Sequence, residues 1–249
     1  MPNGVDMPSD RLVPKKPEMP YRSLTQIIVE LIRQGIYEGT YKPGSRLNIA
    51  DLAQSFNASA VPVREALRNL EAEGLVEFRP NRGVVIKTLS ASEVRELFLM
   101  RLPLEILAAM QAAMQSESAA IDDLESILHA MDAATGTPDW HLLHDQFHRD
   151  LNSLSDLPRL AQYVDVLRGQ MRPYGRLYLS DLKHVELAQA EHYTLIAAAR
   201  KRDMETIRWT IVEHLRRPAH IALTALGFTD LKQFDSDFEL VASSRNLQA

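Results

Sequence analysis

The chain has 249 residues, a formal net charge of −5 and no cysteine. The missing thiols exclude disulfides and thiolate metal sites, which fits a reducing compartment. The longest apolar stretch, around residues 97–110, is interrupted by Arg101 and Glu105, which argues against a membrane span. Since the N-terminus shows no signal pattern, we expect a soluble cytoplasmic protein.

Residues 1–20 contain five prolines and few apolar side chains, which is typical of a disordered lead. Ser23 then stands three residues before Gln26, the spacing of a capping box at the start of a helix. Apolar residues recur every three or four positions from Leu24 to Ile36, which predicts an amphipathic helix. After a turn, Asn48 is suited to cap the next helix.

The stretch from Leu52 to Val76 predicts two helices joined by a tight turn. Ser59 is suited to the N-cap of the second helix, and Pro62 falls in its first turn, where a missing N–H costs nothing. The buried stripe of that helix ends at Gly74. Its outer face carries Ala60, Val61, Arg64, Glu65 and Arg68. Such a helix can lie in the major groove of DNA with its N-terminal residues at base edges.

Two short β-branched segments flank a turn at residues 79–83, which predicts a two-stranded wing. Its tip offers Arg79 and Arg82 to phosphates or a minor groove. The charge fits this interpretation, since residues 21–89 carry +2 whereas residues 90–225 carry −5. The alternative is a small helical subdomain with ordinary surface arginines. The residues predicted to contact DNA are Ser59, Val61, Arg64, Arg68, Arg79, Arg82 and Gly83.

From Ser90 onward the pattern predicts only helices, and about six helices with short connections imply an all-α bundle. The predicted helices span residues 93–116, 117–134, 139–155, 158–180, 185–202 and 204–226. Residues 227–249 are polar and weakly patterned, and no structure is assigned to them. The expected fold class is therefore mainly α, a winged helix-turn-helix followed by a helical bundle. Its parts are a disordered lead at 1–20, a DNA-binding domain at 21–89, a helical domain at 90–226 and a tail at 227–249.

All eight histidines lie between residues 129 and 220, within the predicted bundle. His144 and His148 are four residues apart and share one helix face, and Asp145 lies near that face. His192 and His214 lie on the two last long helices. Imidazole is a common ligand of zinc and nickel, and the helices of a bundle can bring such groups together. The alternative is a set of hydrogen-bonded core histidines without a metal.

Arg101 and Glu105 are one turn apart on the first bundle helix and point towards the same interior. A cation that faces a metal-lined cavity suits a small carboxylate effector, because a guanidinium fork binds carboxylate oxygens in pairs. Arg172 is a second candidate for effector binding. The alternative is an Arg101–Glu105 pair on a solvated helix face.

The helix-turn-helix and its flanks resemble the GntR-type winged-helix regulators over residues 21–89. The resemblance rests on Gly39, Pro43-Gly44, Leu47, Leu52-Ala53, Ser59, PVREAL at 62–67 and LEAEGLV at 70–76. It implies that Arg64 reaches a base edge or a phosphate and that Arg82 and Gly83 form the wing tip. The family commonly has an arginine where this chain has Ala60, so one usual DNA contact is absent.

The helical part resembles the FCD effector domain (FadR C-terminal domain) over residues 90–225. The resemblance rests on RELFLMR at 95–101, FHRDL at 147–151, EHYTLIAAARKRD at 191–203 and EHL at 213–215. In metal-binding FCD domains, an aspartate four residues before the FH histidine joins that histidine and one histidine from each later helix. His148, His192 and His214 match three of these ligands. The fourth position holds His144, so either His144 replaces the carboxylate or Asp145 reaches in.

These features predict a transcriptional regulator and not an enzyme. We expect a homodimeric repressor on an inverted repeat, because a two-fold protein reads a two-fold operator. A small carboxylate, bound in a bundle that contains zinc or nickel, would control the affinity for DNA. One alternative is a metal-dependent hydrolase of the HD type, based on His144-Asp145, with an appended DNA-binding module. Another is a regulator that senses the metal itself.

Overall fold

The computed structural model describes residues 23–80, 82–175 and 181–243. Its first helix, α1 (Leu24–Tyr37), begins at the predicted capping box. Ser23 Oγ accepts the N–H of Gln26 at 3.2 Å, and Gln26 Oε1 accepts the N–H of Ser23 at 2.9 Å. The predicted lead at residues 1–20 lies outside the described residues. So do residues 176–180, where the fourth bundle helix was predicted to end.

Helices α2 (Ile49–Ser55) and α3 (Ala60–Ala72) form the helix-turn-helix. Asn48 caps α2, since its side chain accepts the N–H of Ala50 at 3.0 Å. Asn57 has a φ of 48° and turns the chain between the two helices. Asparagine is one of the few residues besides glycine that adopts this left-handed conformation readily.

The wing has three strands instead of the predicted two. Strands β2 (Val76–Arg79) and β3 (Gly83–Ile86) are the expected pair, and β1 (Arg46–Leu47) adds to the other edge of β3. The order is β1-β3-β2, and both pairings are antiparallel, with Arg46 opposite Val85. A two-residue strand is too short for a recognisable pattern, because its pairing depends on a contact distant in sequence.

The winged-helix domain encloses a single apolar core beneath α3. Helix α1 packs against the inner face of α3, and the sheet closes the core from the side of β2. The side chains that are at most 1% exposed are Ile28, Ile32, Ile36, Val63, Ala66, Leu67, Leu70, Val76, Val84 and Ile86. Burial of each valine, leucine or isoleucine among them contributes roughly 1.5–3 kcal/mol. Because the inner face of α3 is committed to this core, its outer face remains exposed.

Seven helices and a 3-10 turn follow in the part of the chain that the structure describes. They are α4 (Ala91–Gln115), α5 (Ser118–Ala133), α6 (Pro138–Ser153), α7 (Pro158–Met171), the 3-10 turn (Arg172–Tyr174), α8 (Leu182–Lys201), α9 (Met204–Ala225) and α10 (Leu231–Ala242). Helix α4 is central and packs against α6, α7, α8, α9 and α10. It is long and apolar enough to cross a membrane, but 56% of its apolar window is buried inside the bundle. We therefore assign it as the core helix, and the predicted fold class is confirmed.

Helix α10 was not predicted, because sequence analysis found no pattern in residues 227–249. Its buried side chains are Phe234, Phe238 and Ala242. These positions recur every four residues and form a stripe too narrow to stand out among polar neighbours. The helix packs on α4 and α9, and Arg95 of α4 pairs with Asp237. The described part of the tail is therefore a structural part of the bundle.

Candidate metal centre and DNA-binding surface

Three helices of the bundle bring four histidines to one point. Helix α6 contributes His144 and His148, α8 contributes His192, and α9 contributes His214. The Nε2 atom of His148 lies 3.2 Å from Nε2 of His144 and 3.3 Å from Nε2 of His214. Each ring offers one ligand atom, and these four atoms lie within 4.8 Å of one another. The structure thus brings together all four histidines that were predicted for a metal site.

Gln189 orients the His192 ring from behind. The side-chain N–H groups of Gln189 donate to Leu128 O at 2.9 Å and to Asp132 Oδ1 at 2.8 Å. Its oxygen therefore faces His192 Nδ1, at 3.3 Å. Since that oxygen only accepts, the proton of His192 belongs on Nδ1 and the lone pair on Nε2. This Nε2 is buried and has no hydrogen-bond partner among the described residues.

Glu191 orients the His214 ring in the same way. Its Oε2 accepts from His214 Nδ1 at 3.0 Å, and its Oε1 accepts from Arg217 Nη2 at 2.8 Å. Burial raises the pKa of Glu191, but the hydrogen bonds and charges of His214 and Arg217 outweigh it and lower the pKa below its ordinary value. A carboxylate behind a ligating imidazole holds the ring in place and increases its basicity.

Burial keeps three of the four histidines neutral. It lowers the pKa of His144, His148 and His192 well below 6.5, and the charge of Arg168 acts in the same direction. Neutral imidazole is the form that binds metal ions. A divalent cation would satisfy the unpaired Nε2 of His192 together with the three nitrogens around it. The residues present therefore fit a metal ion.

Asp145 is not among the residues whose ligand atoms converge, and His144 takes the fourth position of the cluster instead. It follows His144 directly, and consecutive residues of a helix point about 100° apart. Its Oδ1 lies instead 3.2 Å from Nε of Arg172, in an ion pair whose geometry is not that of a hydrogen bond. The HD-type hydrolase needs both side chains at one metal, and this separation removes its basis.

Two guanidinium groups share one carboxylate beside the histidines. Arg101 Nε lies 2.7 Å from Glu105 Oε1, and Arg168 Nη1 lies 3.4 Å from Glu105 Oε2. Arg101, Arg168 and Glu105 are 6%, 7% and 2% exposed, so the Arg101–Glu105 pair is not on a solvated face. Burial raises the pKa of Glu105, but the two arginines lower it below its ordinary value. Sequence analysis missed Arg168. Its position one helical turn before Arg172, a predicted effector-binding residue, could have identified it, because residues four apart share a helix face.

A cavity of about 880 Å³ extends from these groups to the surface. Its lining includes Arg101, Arg168, His144 and His214, and Trp140 stacks on His144 with ring centroids 4.9 Å apart. The volume lies within the range of roughly 300–1,000 Å³ that is usual for pockets of small ligands. Arg172 and Asp145 also line it, as do Gln34, Tyr37 and Glu38 of α1. The winged-helix domain therefore forms part of the cavity wall.

The residues predicted to contact DNA lie on α3 and the wing. Val61 and Arg64 are exposed at the start of α3, and Arg64 makes no ion pair with any residue that the structure describes. Ser59 occupies the N-cap position with extended backbone, but its side chain makes no capping hydrogen bond. Arg82 and Gly83 are exposed at the wing tip, where Gly83 has a φ of 74° that favours glycine.

Two further predicted arginines have partners within the domain. Arg68 lies 2.6 Å from Glu71 and stacks on Phe78, with 3.8 Å between its guanidinium carbon and the ring centroid. Arg79 pairs with Glu77. Both arginines are exposed, so a phosphate can compete with these carboxylates for the guanidinium groups.

Arg46 is a basic residue near the wing tip that sequence analysis missed. It is exposed on β1, and its Nε lies 3.5 Å from the position that a Cβ on Gly83 would occupy. Its placement depends on the pairing of β1 with β3, which is not visible in the local sequence. In the sequence, only the positive charge of Arg46 marked it as a candidate for a DNA contact.

Fold and site together define the class of protein: a winged-helix DNA-binding domain followed by a helical bundle with a buried, ligand-sized cavity. Two family models match the chain, "Bacterial regulatory proteins, gntR family" over residues 24–86 and "FCD domain" over residues 96–217. The chain belongs to the GntR family of bacterial regulatory proteins, and its helical part is an FCD domain. The family expected from the sequence is confirmed.

Its relatives include the uncharacterised HTH-type transcriptional regulator YdhC of Bacillus subtilis, 30% identical over 190 residues that cover 74% of this chain and 84% of the relative. The HTH-type transcriptional repressor RspR of Escherichia coli is 26% identical over 200 residues, which cover 79% and 88% of the two chains. The structure of E. coli McbR/YncC has a TM-score of 0.72 at 22% identity, and the match covers 84% of this chain and 100% of that chain, so it shows the fold. The family and these relatives are transcriptional regulators, which confirms a regulator and not an enzyme.

Proposed function

We propose that this protein binds an operator in double-stranded DNA and that a small carboxylate in the bundle cavity changes its affinity for that operator. The observation that carries the ligand class is the pair of buried guanidinium groups, Arg101 and Arg168, that share the single carboxylate of Glu105 beside four converging histidines. The DNA-binding half rests on the winged helix and on membership of a family of DNA-binding regulators.

The charge in the buried part of the cavity favours an anion. Arg101 and Arg168 carry two positive charges against one negative charge on Glu105, and burial keeps His144, His148 and His192 neutral. Asp165 also lies near Arg168, but burial raises the pKa of its carboxyl group above the ordinary value, which disfavours its charged form. A buried charge without a partner costs several kcal/mol, so a ligand that supplies the missing negative charge binds with that advantage. A carboxylate also matches the two parallel N–H donors of a guanidinium fork. Arg172, nearer the mouth, is proposed to contact the rest of the ligand.

A divalent ion, zinc or nickel, would be held by the Nε2 atoms of His144, His148, His192 and His214. When bound, it supplies a Lewis acid for a carboxylate oxygen. Four imidazoles complete a tetrahedral zinc site, so direct coordination of the ligand requires an ion that accepts a fifth position. The guanidinium groups and the ion would then bind the two oxygens of one carboxylate group or two different groups of one ligand.

On DNA, the start of α3 would lie in the major groove with Val61 and Arg64 at base edges. The wing tip, with Arg82 and Gly83, would reach a phosphate or the minor groove. Two copies of the chain would bind as a homodimer to an inverted repeat, because one small DNA-binding domain contacts too few base pairs for useful specificity. Release of the operator on ligand binding would make the protein a repressor, as the relative RspR is named.

Thermal unfolding in the presence of small carboxylates tests the ligand class, together with metal analysis of the untreated protein. A carboxylate at 100 times its Kd should stabilise the protein by about 2.7 kcal/mol, which is visible as a rise in Tm. Arg168→Gln should remove this stabilisation and leave a folded protein, since it removes the surplus buried charge. Arg159→Gln, which changes an exposed arginine of α7, should keep the stabilisation.

Equal stabilisation by the corresponding neutral amides would contradict the charge argument. Stabilisation by zinc or nickel, with no further rise from any carboxylate, would favour the alternative in which the metal itself is the signal. The linkage is reciprocal, so a carboxylate that changes operator affinity must itself bind more weakly or more tightly by the same factor when DNA is present.

A further inference from the structure

The end of α7 contacts the winged-helix domain at two close approaches. A Cβ on Gly169 would lie 2.7 Å from the hydroxyl oxygen of Tyr37, at the end of α1, so no larger residue fits there without movement. A Cβ on Gly74, just after α3, would lie 2.8 Å from Nε2 of Gln170. Consecutive residues of α7 therefore pack against the ends of both helices that form the core of the DNA-binding domain.

The 3-10 turn that follows α7 holds the connection between the two domains. The hydroxyl oxygen of Tyr174 accepts the backbone N–H of Leu89 at 2.7 Å, in a buried contact. Leu89 is 3% exposed and packs with the bundle core, although it lies between the wing and α4. Residues 169–174 thus hold the winged-helix domain at three separate points.

Arg172 lies between these contacts and the histidine cluster. Its guanidinium carbon lies 4.5 Å from the centroid of the Tyr37 ring, and its Nε lies 3.2 Å from Asp145 Oδ1. Burial raises the pKa of Tyr37 to about 12, so the ring remains a neutral phenol whose π face attracts the cation. Asp145 directly follows His144 on α6. A continuous series of contacts therefore leads from His144 through Asp145 and Arg172 to Tyr37.

Metal binding would require the histidine rings to move. A tetrahedral zinc ion with Zn–N distances of about 2.0–2.1 Å places its nitrogen ligands about 3.3 Å apart. Two of the nitrogen pairs are already at 3.2 and 3.3 Å, whereas the full set spans up to 4.8 Å. Closing the set requires movement on the order of 1 Å, and a close-packed interior transmits such a shift to its neighbours. His144 shares its helix turn with Asp145, so a shift of His144 would move Asp145 and its ion pair with Arg172 directly.

We propose that Arg172 couples the four-histidine site to the DNA-binding domain by holding Asp145 of α6 and Tyr37 of α1 together. Metal occupancy then alters the placement of α1 and α3, and with it the affinity for the operator. This inference rests on the proposed function, and it adds the residue through which the two domains communicate. Arg172 is here a positioning residue, since it acts through Tyr37 and need not touch either the metal or the DNA.

The test uses zinc alone as the probe and the full-length protein. Operator affinity is measured by fluorescence anisotropy with chelator-treated protein and again after one equivalent of zinc is added. For the unaltered protein we expect zinc to change Kd by about fivefold or more, the lower end of ordinary coupling. For Arg172→Ala we expect a change below about twofold, with zinc affinity within about threefold of the unaltered protein.

Arg149→Ala is the matched control, because it removes the same charge from the same cavity lining and leaves the contacts of Arg172 intact. It should retain the full zinc effect. If Arg172→Ala does not fold, as judged by circular dichroism, then Asp145→Asn tests the same link with almost no change in side-chain volume. A zinc effect that persists in Arg172→Ala or Asp145→Asn, or no zinc effect on a protein that binds its operator, overturns the proposal. Failure to bind any operator would instead overturn the proposed function.

Discussion

The arginines of the DNA-binding surface and those of the cavity are the same side chain in opposite surroundings. Arg64 and Arg82 are exposed, whereas Arg101 and Arg168 are 6% and 7% exposed. An exposed guanidinium is hydrated and screened by salt, so it binds strongly only to a polyanion that offers many phosphates at once. A buried guanidinium is desolvated in advance and favours one anion of the right shape.

Burial therefore decides which partner each set of arginines accepts. The DNA-binding surface should respond to ionic strength, while the cavity should respond to a specific ligand and to the state of its histidines. The two regions meet at α7, where Arg168 faces the cavity and the next residues contact the winged-helix domain. Variants that separate these responses test the comparison directly.

The largest expected effect lies in the cavity, at His192. His192→Ala removes one of the four converging nitrogens, so we expect zinc affinity to fall by more than the 10–100-fold that is usual for loss of a supporting group. Metal analysis and chelator competition measure the change. His129→Ala, which alters a histidine outside the cluster, should keep full metal content. Full metal content in His192→Ala would exclude His192 as a ligand.

Acid should destabilise the bundle through its buried histidines. The pKa values of His144, His148 and His192 are lowered in the folded state, so the unfolded chain binds more protons below about pH 6.5 and stability is lost as the pH falls. Each histidine contributes up to about 1.4 kcal/mol per pH unit in that range, and the stability is fully present above it. Urea unfolding of chelator-treated protein between about pH 8 and pH 5.5 measures this slope. A flat profile would mean that these rings are protonated in the folded protein.

On the DNA side, Arg64→Ala should weaken operator binding by more than about 1 kcal/mol and relax the preference at one base pair. The exposed Arg64 side chain supports this role, because it makes no ion pair with the described residues. Binding to a set of operator variants measures both effects. Arg159→Ala removes the same charge from an exposed position of the bundle and should change neither. If the base preference is unchanged in Arg64→Ala, then Arg64 does not read a base and can contact only a phosphate.

The smallest expected effect is at the wing tip. Arg82→Ala should reduce the slope of log Kd against log salt by about one per bound subunit and weaken all sequences alike. Titrations at several salt concentrations measure the slope. Arg79→Ala should change it less, because Arg79 already pairs with Glu77. A loss of base preference in Arg82→Ala would place the wing tip at base edges.

Local signals explain how much of the fold could be predicted. The capping box of Ser23 and Gln26, the cap at Asn48 and the turn at Asn57 are encoded by neighbouring residues, and all are present. Strand β1 and helix α10 were missed, because each is stabilised by partners distant in sequence: β3 for the strand, and α4 and α9 for the helix.

The candidate site also contains residues that local sequence identifies and residues whose positions depend on distant packing. His144 and His148 were identified by their spacing, and the resemblance to metal-binding FCD domains pointed to His192 and His214 as their partners. The side on which Asp145 lies was not predictable, since about 100° of helix rotation separates a ligand from the partner of Arg172. Arg168 could not be distinguished from a surface arginine until the packing of α7 against α4 placed it beside Glu105.

Operator titration with and without a stabilising carboxylate tests the central claim most directly. Labelled duplexes that cover the promoter region of the protein's own gene are titrated with metal-loaded protein at low ionic strength. Specific binding should appear with a Kd of roughly 10⁻⁸ M or tighter. The carboxylate should change that Kd by about fivefold or more in the unaltered protein, and this change should be lost in Arg168→Gln. Protein that binds no duplex, or whose Kd is the same with and without every stabilising carboxylate, would contradict the account.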